Sequence, residues 1–261
     1  MQRAVITGGT GFIGSWLIQE LLEKNIEVIA LIRTPNLPIV ELENNKLLKL
    51  VVYHSKEYEA LKAQFCQIDA FYHLAWAGVS SELKNECDLQ LENIRFSLQM
   101  LDYAKEIGAR RFIGIGTVAE YSFCENIMDV NARQTPNDMY GAAKTATHYM
   151  LETRARILQI PFNWTVIPST FGEGRKDNNI ITYTITSLLR RERPSYGYLQ
   201  QMWDFLYVKE VVRALRLIGD RGQASKNYGI GSGVFRPLKD YIVMIRDIID
   251  PNLELGIGDI P

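Results

Sequence analysis

A glycine-rich turn near the start of the chain constrains the fold more than any other feature of the sequence. The segment Thr7–Gly14 reads TGGTGFIG and lies between a short apolar run and a stretch with helical spacing over residues 12–23. Gly8 suits a tight turn, Gly11 lets backbone approach a ligand with no Cβ in the way, and Gly14 lets helix and strand pack closely. The position after the first apolar run predicts a turn that binds a dinucleotide pyrophosphate, with a plain flexible turn as the alternative.

Strand-like and helix-like patterns alternate through the first two thirds of the chain. Short apolar runs typical of buried strands occupy residues 4–7, 27–32, 47–52, 70–75, 111–115 and 162–167. Helical spacing covers residues 12–23, 89–107 and 140–158. This alternation predicts an α/β fold of the Rossmann type, a doubly wound parallel sheet with helices on both faces.

The pattern changes after Pro168, where glycines and prolines separate shorter elements. Because no Pro/Ser-rich linker intervenes, we predict a dinucleotide-binding domain over residues 1–167 and a smaller, interleaved, mainly substrate-binding part over residues 168–261. The last residues, GIGDIP, contain no closing element, so we expect the chain to stop early there.

Composition excludes several classes of partner. The chain has 261 residues, 47% of them hydrophobic, and 29 basic against 30 acidic residues give a net charge of -1. Such a balance attracts neither nucleic acid nor an anionic membrane, so neither is expected as a partner. Cys66, Cys87 and Cys124 are scattered and lack metal-ligand spacing, which predicts free thiols and no metal site. We see no leader before the first strand and no stretch of roughly 20 apolar residues, and therefore predict a cytoplasmic protein.

A tyrosine and a lysine indicate the chemistry. Tyr140 and Lys144 lie four residues apart at the start of a predicted helix, so their side chains share one face. A phenol with a pKa near 10 is a poor acid–base catalyst at neutral pH unless a nearby cation lowers that pKa. Thr117 follows a predicted strand at the sheet edge where open α/β sheets bind ligands. Although an exposed Tyr/Lys pair arises easily by chance, its combination with Thr117 and the glycine turn predicts hydride-transfer chemistry.

The residue after the second predicted strand bears on the choice of cofactor. NAD-binding folds usually have a carboxylate there for the ribose hydroxyls, whereas this chain has Ile32 and Arg33. A guanidinium suits the oxygens of a 2′-phosphate, so NADP(H) is favoured and NAD(H) is the alternative. The alternative is that Arg33 is a solvated surface arginine with no part in cofactor binding.

Taken together, the motifs resemble the extended short-chain dehydrogenase/reductases that act on nucleotide sugars, a family of epimerases, dehydratases and reductases. The resemblance covers nearly the whole chain and rests on TGGTGFIG at 7–14, DAFYHLAWAG at 69–78, GTVAEY at 116–121, YGAAK at 140–144 and WDFLYVKEVVRAL at 203–215. It implies that Tyr140 passes a proton, that Thr117 polarises the sugar oxygen, and that Lys144 holds the nicotinamide ribose. It also implies a homodimer through a four-helix bundle, built from the helices near 89–107 and 139–158.

The resemblance implies further binding positions. The implied cofactor-binding residues, besides Tyr140 and Lys144, are Gly8, Gly11, Phe12, Ile13, Gly14, Arg33, Leu74, Ala75, Trp76 and Pro168. The implied substrate-binding residues are Thr117, Val118, Ala119, Trp203 and one of Asn178 and Asn179. His73 is implied to be structural support beside the cofactor.

Three departures from the family pattern shape the functional prediction. Val118 and Ala119 stand where dehydratases carry an acid pair, so 4,6-dehydration is not expected. Glu120 replaces a residue that is more often apolar, and we expect it to face solvent, with substrate contact as the alternative. Trp203 replaces an arginine that helps to bind the nucleotide diphosphate in many relatives.

These features predict an enzyme that reduces a nucleotide-linked 4-keto-6-deoxy sugar at C4, with NADPH as hydride source and Tyr140 as proton donor. A nucleotide-sugar 4-epimerase with tightly bound NAD uses the same residues and is the main alternative. A less favoured hypothesis, from a different functional class, is a non-catalytic NAD(P)-sensing protein.

Overall fold

The chain forms two compact units, each built from two separate segments of sequence. The computed structural model describes residues 1–33, 45–64, 67–122 and 132–260. The first unit comprises Met1–Pro168 and Val208–Ile230, and the second unit comprises Ser169–Tyr207 and Gly231–Pro261.

A parallel sheet forms the centre of the first unit. Its strands are β1 (Arg3–Thr7), β2 (Glu27–Ile32), β3 (Leu48–Val52), β4 (Ala70–His73), β5 (Phe112–Thr117), β6 (Phe162–Ile167) and β11 (Tyr228–Gly229). Within the described residues the sheet has seven strands in the order β11-β6-β5-β4-β1-β2-β3, and each neighbouring pair is parallel. The predicted Rossmann-type fold is therefore confirmed. The strand order reverses between β1 and β4, which is the switch point where such sheets bind ligands.

Five helices pack around this sheet within the described residues, and four of them form two pairs. The five helices are α1 (Phe12–Glu23), α2 (Lys56–Gln64), α3 (Cys87–Glu106), α4 (Met139–Leu158) and α6 (Val208–Arg221), and a short 3-10 helix covers Val118–Tyr121. The helices α3 and α4 pack against each other, as do α1 and α6. Right-handed crossovers that leave the switch point in opposite directions place these two pairs on opposite faces. The apolar residues of the strands are consequently buried on both sides.

The second unit contains smaller elements. Its strands are β7 (Ser169–Phe171), β8 (Ser195–Tyr196), β9 (Met202–Trp203), β10 (Phe205–Tyr207), β12 (Arg236–Pro237) and β13 (Gly256–Ile257), and its helices are α5 (Ile180–Leu189) and α7 (Leu238–Ile249). The strands form three pairs, β7 with β10, β9 with β12 and β8 with β13. The two helices pack together over a core of Tyr196, Leu199, Leu238 and Ile242.

Among the described residues, no helix combines the length and the apolar character needed to cross a bilayer. The cytoplasmic location stays a prediction. Cys87 is an exposed free thiol, whereas Cys66 and Cys124 lie outside the described residues.

Candidate active site

The glycine turn between β1 and α1 is shaped by backbone packing at two of its glycines. Gly8 has a φ of +73°, and a Cβ there would lie 2.6 Å from the backbone nitrogen of Ala75. A Cβ on Gly14 would collide with the carbonyl oxygen of Gly8. Within the described chain, a Cβ on Gly11 would meet one atom inside 4 Å, the Gly8 oxygen at 3.2 Å. Gly11 therefore borders open space at the switch point.

The start of α1 fits an anionic ligand. Gly11 is the N-cap residue, and within the described residues no side chain caps this helix and no acidic residue lies in its first turn. Phe12, Ile13 and Gly14 begin the helix there. Helix N-termini of this kind bind phosphate through backbone N–H groups and the helix dipole. The residues present thus fit a dinucleotide pyrophosphate.

The loop after β4 lies against this turn and is held by two buried polar side chains of α3. Asn93 forms two hydrogen bonds of 2.9 Å with the backbone of Ala77. Gln90 accepts a 3.0 Å hydrogen bond from the indole N–H of Trp76 and donates a 2.9 Å bond to the Gly78 oxygen. These contacts fix Trp76 in place. Gln90 and Asn93 were not singled out from the sequence, where they are two amides in an otherwise ordinary amphipathic helix.

His73 connects β1, β4 and α3 in a buried hydrogen-bond chain. Its Nδ1 lies 2.8 Å from Thr7 Oγ1, and its Nε2 lies 2.9 Å from Ser97 Oγ. Ser97 donates its own proton to the backbone oxygen of Asn93, so its hydroxyl accepts a hydrogen bond from the histidine. We therefore assign the ring proton to Nε2 and let Nδ1 accept from the Thr7 hydroxyl. Burial lowers the pKa of His73 to about 3, and the charge of Lys144 acts in the same direction. The ring is thus neutral and structural.

Thr117, Tyr140 and Lys144 come together where β5 ends and α4 begins. The Thr117 hydroxyl lies close enough to the Tyr140 phenol to lower its pKa. The Lys144 Nζ donates a 2.8 Å hydrogen bond to the Ile115 oxygen. It also lies 3.9 Å from the ring centroid of Trp76, and the same indole meets the Tyr140 ring edge-on at 6.1 Å. A hydroxyl, a phenol and an ammonium therefore share one small volume.

The N-terminus of α4 is anchored two residues before Tyr140. Asp138 caps the helix by accepting a 2.7 Å hydrogen bond from the Gly141 N–H. Its second oxygen forms a 3.1 Å ion pair with Lys84, in the loop that follows β4. This anchor limits how far the phenol can move.

Burial dominates the ionisation of the phenol and the ammonium. Partial burial raises the pKa of Tyr140 to about 12, although the Thr117 hydroxyl acts in the opposite direction. This differs from the sequence-based expectation that Lys144 lowers the pKa of this phenol, because desolvation of the half-buried ring outweighs the other influences. Burial also lowers the pKa of Lys144, and the carboxylate of Glu120 opposes that effect.

Glu120 corrects the sequence analysis, which expected it to face solvent. Its exposed fraction is 0%, and its carboxylate points back toward the end of β5. There it accepts a 2.8 Å hydrogen bond from the Thr117 N–H and a 2.7 Å bond from Gln134 Nε2. The capping box of the 3-10 helix turns the side chain inward, a reversal that a glutamate between an alanine and a tyrosine does not reveal.

The remaining predicted cofactor and substrate residues of the first unit occupy separate places. Arg33 is exposed directly after β2, and the residues that follow it, 34–44, lie outside the described residues. Val118 and Ala119 form the first half of the 3-10 helix beside Thr117. Pro168 directly follows β6.

Asn178, Asn179 and Trp203 belong to the second unit. Asn179 is the N-cap of α5, and its side-chain oxygen accepts hydrogen bonds of 2.9 and 3.2 Å from the N–H groups of Ile181 and Thr182. Asn178 is exposed. Trp203 is partly exposed, and its ring lies 6.3 Å from that of Phe205.

Residues 4–231 match the model of the NAD dependent epimerase/dehydratase family. The chain belongs to this family. It is an NAD(P)-dependent enzyme of the extended short-chain dehydrogenase/reductase type, an oxidoreductase or epimerase, as the sequence motifs predict.

Individual members of the family are distant relatives. A dTDP-glucose 4,6-dehydratase of Haemophilus influenzae is 24% identical over 96% of this chain and 80% of its own length. A dTDP-6-deoxy-L-talose 4-dehydrogenase (NAD(+)) of Aggregatibacter actinomycetemcomitans is 24% identical over 79% of this chain and 76% of its own. The solved structure of a UDP-glucuronic acid 4-epimerase from Bacillus cereus, in complex with UDP-glucuronic acid and NAD, has a TM-score of 0.85 and 21% identity, covering 98% of this chain and 86% of that one. This structural likeness shows the shared fold.

Proposed function

We propose that the enzyme reduces a nucleotide-linked 4-keto-6-deoxy sugar to the 4-hydroxy sugar. The observation that carries this proposal is the grouping of the half-buried phenol of Tyr140 with Lys144 around Trp76, beside Val118 and Ala119, which carry no acid or base. With its pKa raised to about 12, the phenol holds its proton at neutral pH. Reduction needs a proton donor at this position.

The first unit offers the residues that would hold the dinucleotide. Gly8, Gly11 and Gly14 with the N–H groups at Phe12 and Ile13 would bind the pyrophosphate. The walls of the site would be Leu74, Ala75, Trp76 and Pro168, and Lys144 would bind the nicotinamide ribose. The exposed guanidinium of Arg33 suits a 2′-phosphate, so we propose NADP(H), with NAD(H) as the alternative. When bound, the dinucleotide would supply the hydride that is added to C4.

Protein groups would complete the reduction at the sugar oxygen. Tyr140 donates its proton to O4 as hydride reaches C4, so the carbonyl becomes a hydroxyl. Thr117 donates a hydrogen bond to the same oxygen and stabilises the negative charge that develops there. Val118 and Ala119 line this position and carry no acid or base, so the expulsion of water from the sugar has no catalyst at these positions. The relative named as a 4-dehydrogenase supports redox chemistry at this carbon, because its named reaction is such a reduction run backwards.

We assign recognition of the nucleotide diphosphate to the second unit. Since the side chain of Asn179 caps α5, Asn178 is the better candidate for the substrate contact. Trp203 offers an aromatic surface where many relatives have a guanidinium, which favours contact with a flat ring over ionic contact with phosphate.

Purified enzyme would be tested with nucleotide-linked 4-keto-6-deoxy sugars in the presence of NADPH or NADH. We expect one NADPH oxidised per keto sugar consumed and a higher kcat/KM with NADPH than with NADH. Arg33→Gln should reduce that preference while leaving the reaction with NADH unchanged. Interconversion of 4-epimers by enzyme with retained nucleotide and no added NADPH would establish the epimerase instead.

A further inference from the structure

Glu120 is a buried carboxylate that accepts hydrogen bonds from three groups, the Gln134 amide at 2.7 Å and two others that can only donate. Its Oε1 accepts the 2.8 Å bond from the Thr117 N–H, and the indole Nε1 of Trp164 lies 3.3 and 3.2 Å from the two carboxylate oxygens. A backbone N–H and an indole N–H have no lone pair to accept a proton. Burial raises the pKa of Glu120, but these hydrogen bonds and the charge of Lys144 oppose that effect, so the surroundings fit the ionised form.

Capping of the 3-10 helix does not by itself require that charge. An amide oxygen accepts the Thr117 N–H as well as a carboxylate oxygen does. The Glu120 side chain is nevertheless packed tightly against β5, because a Cβ on Gly116 would lie 2.6 Å from Glu120 Oε1. A buried carboxylate costs several kcal/mol unless a cation and hydrogen bonds offset its desolvation. A cation is thus expected nearby.

Lys144 is that cation. It is 5% exposed, and its Nζ lies 6.0 Å from the ring centroid of Trp164, the indole that donates to Glu120. The Nζ donates to Ile115 O while Glu120 accepts from the Thr117 N–H, so the two charges contact the end of the same strand two residues apart.

The other groups around the ammonium do not supply a countercharge. Trp76 offers its ring face, Tyr140 is a protonated phenol on the same helix, and His73 of β4 is a neutral imidazole. Asp138, at the start of α4, is already paired with Lys84. Among the described residues, Glu120 is the charged group that opposes the loss of the Lys144 proton.

We propose that Glu120 is a positioning residue for catalysis, the counter-ion that keeps Lys144 charged and directed toward the cofactor side of Tyr140. The expected effect of Glu120 on cofactor binding rests on the role proposed above for Lys144. The coupling between the charges of Glu120 and Lys144 does not depend on that role. Removing the carboxylate leaves burial unopposed, so the Lys144 pKa falls further. The ammonium is then lost at a lower pH than in the wild type.

The direct test follows Lys144 by NMR in protein with 13C- and 15N-labelled lysine, with the signal assigned by its absence in Lys144→Met. Glu120→Gln should move the titration midpoint of Lys144 to lower pH, and Glu120→Asp, which retains the charge, should recover part of that shift. Glu152→Gln removes an exposed carboxylate two turns further along α4 and should leave the midpoint unchanged. An unchanged or raised midpoint in Glu120→Gln would overturn the proposal.

A stability measurement covers the case in which Glu120→Gln is too unstable to titrate. If the two charges offset each other, Lys144→Met leaves Glu120 buried without its cation, and adding Glu120→Gln relieves that cost. Urea unfolding should therefore show the double variant at least as stable as Lys144→Met alone. Strictly additive destabilisation by the two substitutions would contradict the coupling.

A third measurement tests whether the charge of Lys144 affects cofactor binding. Binding of NADPH, followed by quenching of tryptophan fluorescence across pH 6 to 10, should weaken at a lower pH in Glu120→Gln than in the wild type. Failure of the wild type to bind either dinucleotide would count against the proposed function, while the NMR and unfolding results would still decide the role of Glu120.

Discussion

Tyr140 is the residue on which the proposed chemistry most directly depends. Its half-buried phenol lies beside Thr117 and Trp76, and the capped start of α4 fixes its backbone. Tyr140→Phe removes the proton donor without changing the shape of the ring. We expect kcat to fall by about 10²–10⁴-fold, the usual contribution of a positioned acid or base.

Steady-state kinetics with the keto sugar would check this prediction, and isothermal titration should show unchanged binding of NADPH. Tyr149→Phe is the matched control, since Tyr149 is an exposed tyrosine on the same helix. Turnover by Tyr140→Phe within tenfold of the wild-type rate would reject Tyr140 as the donor.

At this scale the sequence predicted which residues lie together at the candidate site better than it predicted their surroundings. The spacing of Tyr140 and Lys144 follows from helix geometry, and the position of Thr117 follows from the end of a strand. The contact of Trp76 with Lys144 depends on a loop held by α3, and the inward turn of Glu120 depends on a helical cap. Both are long-range or geometric details that no local pattern encodes.

At the scale of elements, the hydrogen-bond chain through His73 links β1, β4 and α3. Because the folded pKa of about 3 lies below the ordinary value of 6.5, only the unfolded chain binds a proton at this histidine between those values. Stability from this site is complete above pH 6.5 and is lost as the pH falls toward 3. At pH 5 the expected loss is on the order of 2 kcal/mol.

Urea unfolding of wild type and His73→Gln between pH 7 and pH 5 would measure this effect. The variant should be less stable at pH 7, because it loses a buried ring, but its free energy of unfolding should fall less steeply on acidification. His54→Gln, at an exposed histidine outside this hydrogen-bond chain, should keep the wild-type slope. Parallel slopes for wild type and His73→Gln would show that the buried ring does not resist protonation.

The long elements were predictable because their patterns are strong. The prediction of helix over residues 140–158 compares with α4 at Met139–Leu158, and the prediction of strand over residues 162–167 matches β6. The two-residue strand β11 has no such signal, since Tyr228 and Gly229 become a strand only by pairing with Thr165 and Val166.

At the scale of the whole molecule, the outer surface of α3 and α4 bears on the oligomeric state. These helices pack on each other within the first unit, yet several of their apolar side chains are exposed, namely Leu91, Tyr149, Met150 and Ile157. Two such pairs related by a two-fold axis would bury this surface in a four-helix bundle. The homodimer predicted from the sequence therefore stays our proposal for this surface.

Light scattering after size exclusion would test the dimer with paired substitutions. Ile157 is 65% exposed on α4, and Ile248 is 78% exposed on α7 of the second unit. A buried glutamate in the proposed bundle would repel its symmetry mate and lose apolar contact, so Ile157→Glu should give particles of 29.8 kDa where the wild type has twice that mass. Ile248→Glu adds the same charge to an equally exposed isoleucine and should leave the dimer intact. A monomeric wild type, or dissociation caused equally by both substitutions, would rule out the α3/α4 surface as the specific interface.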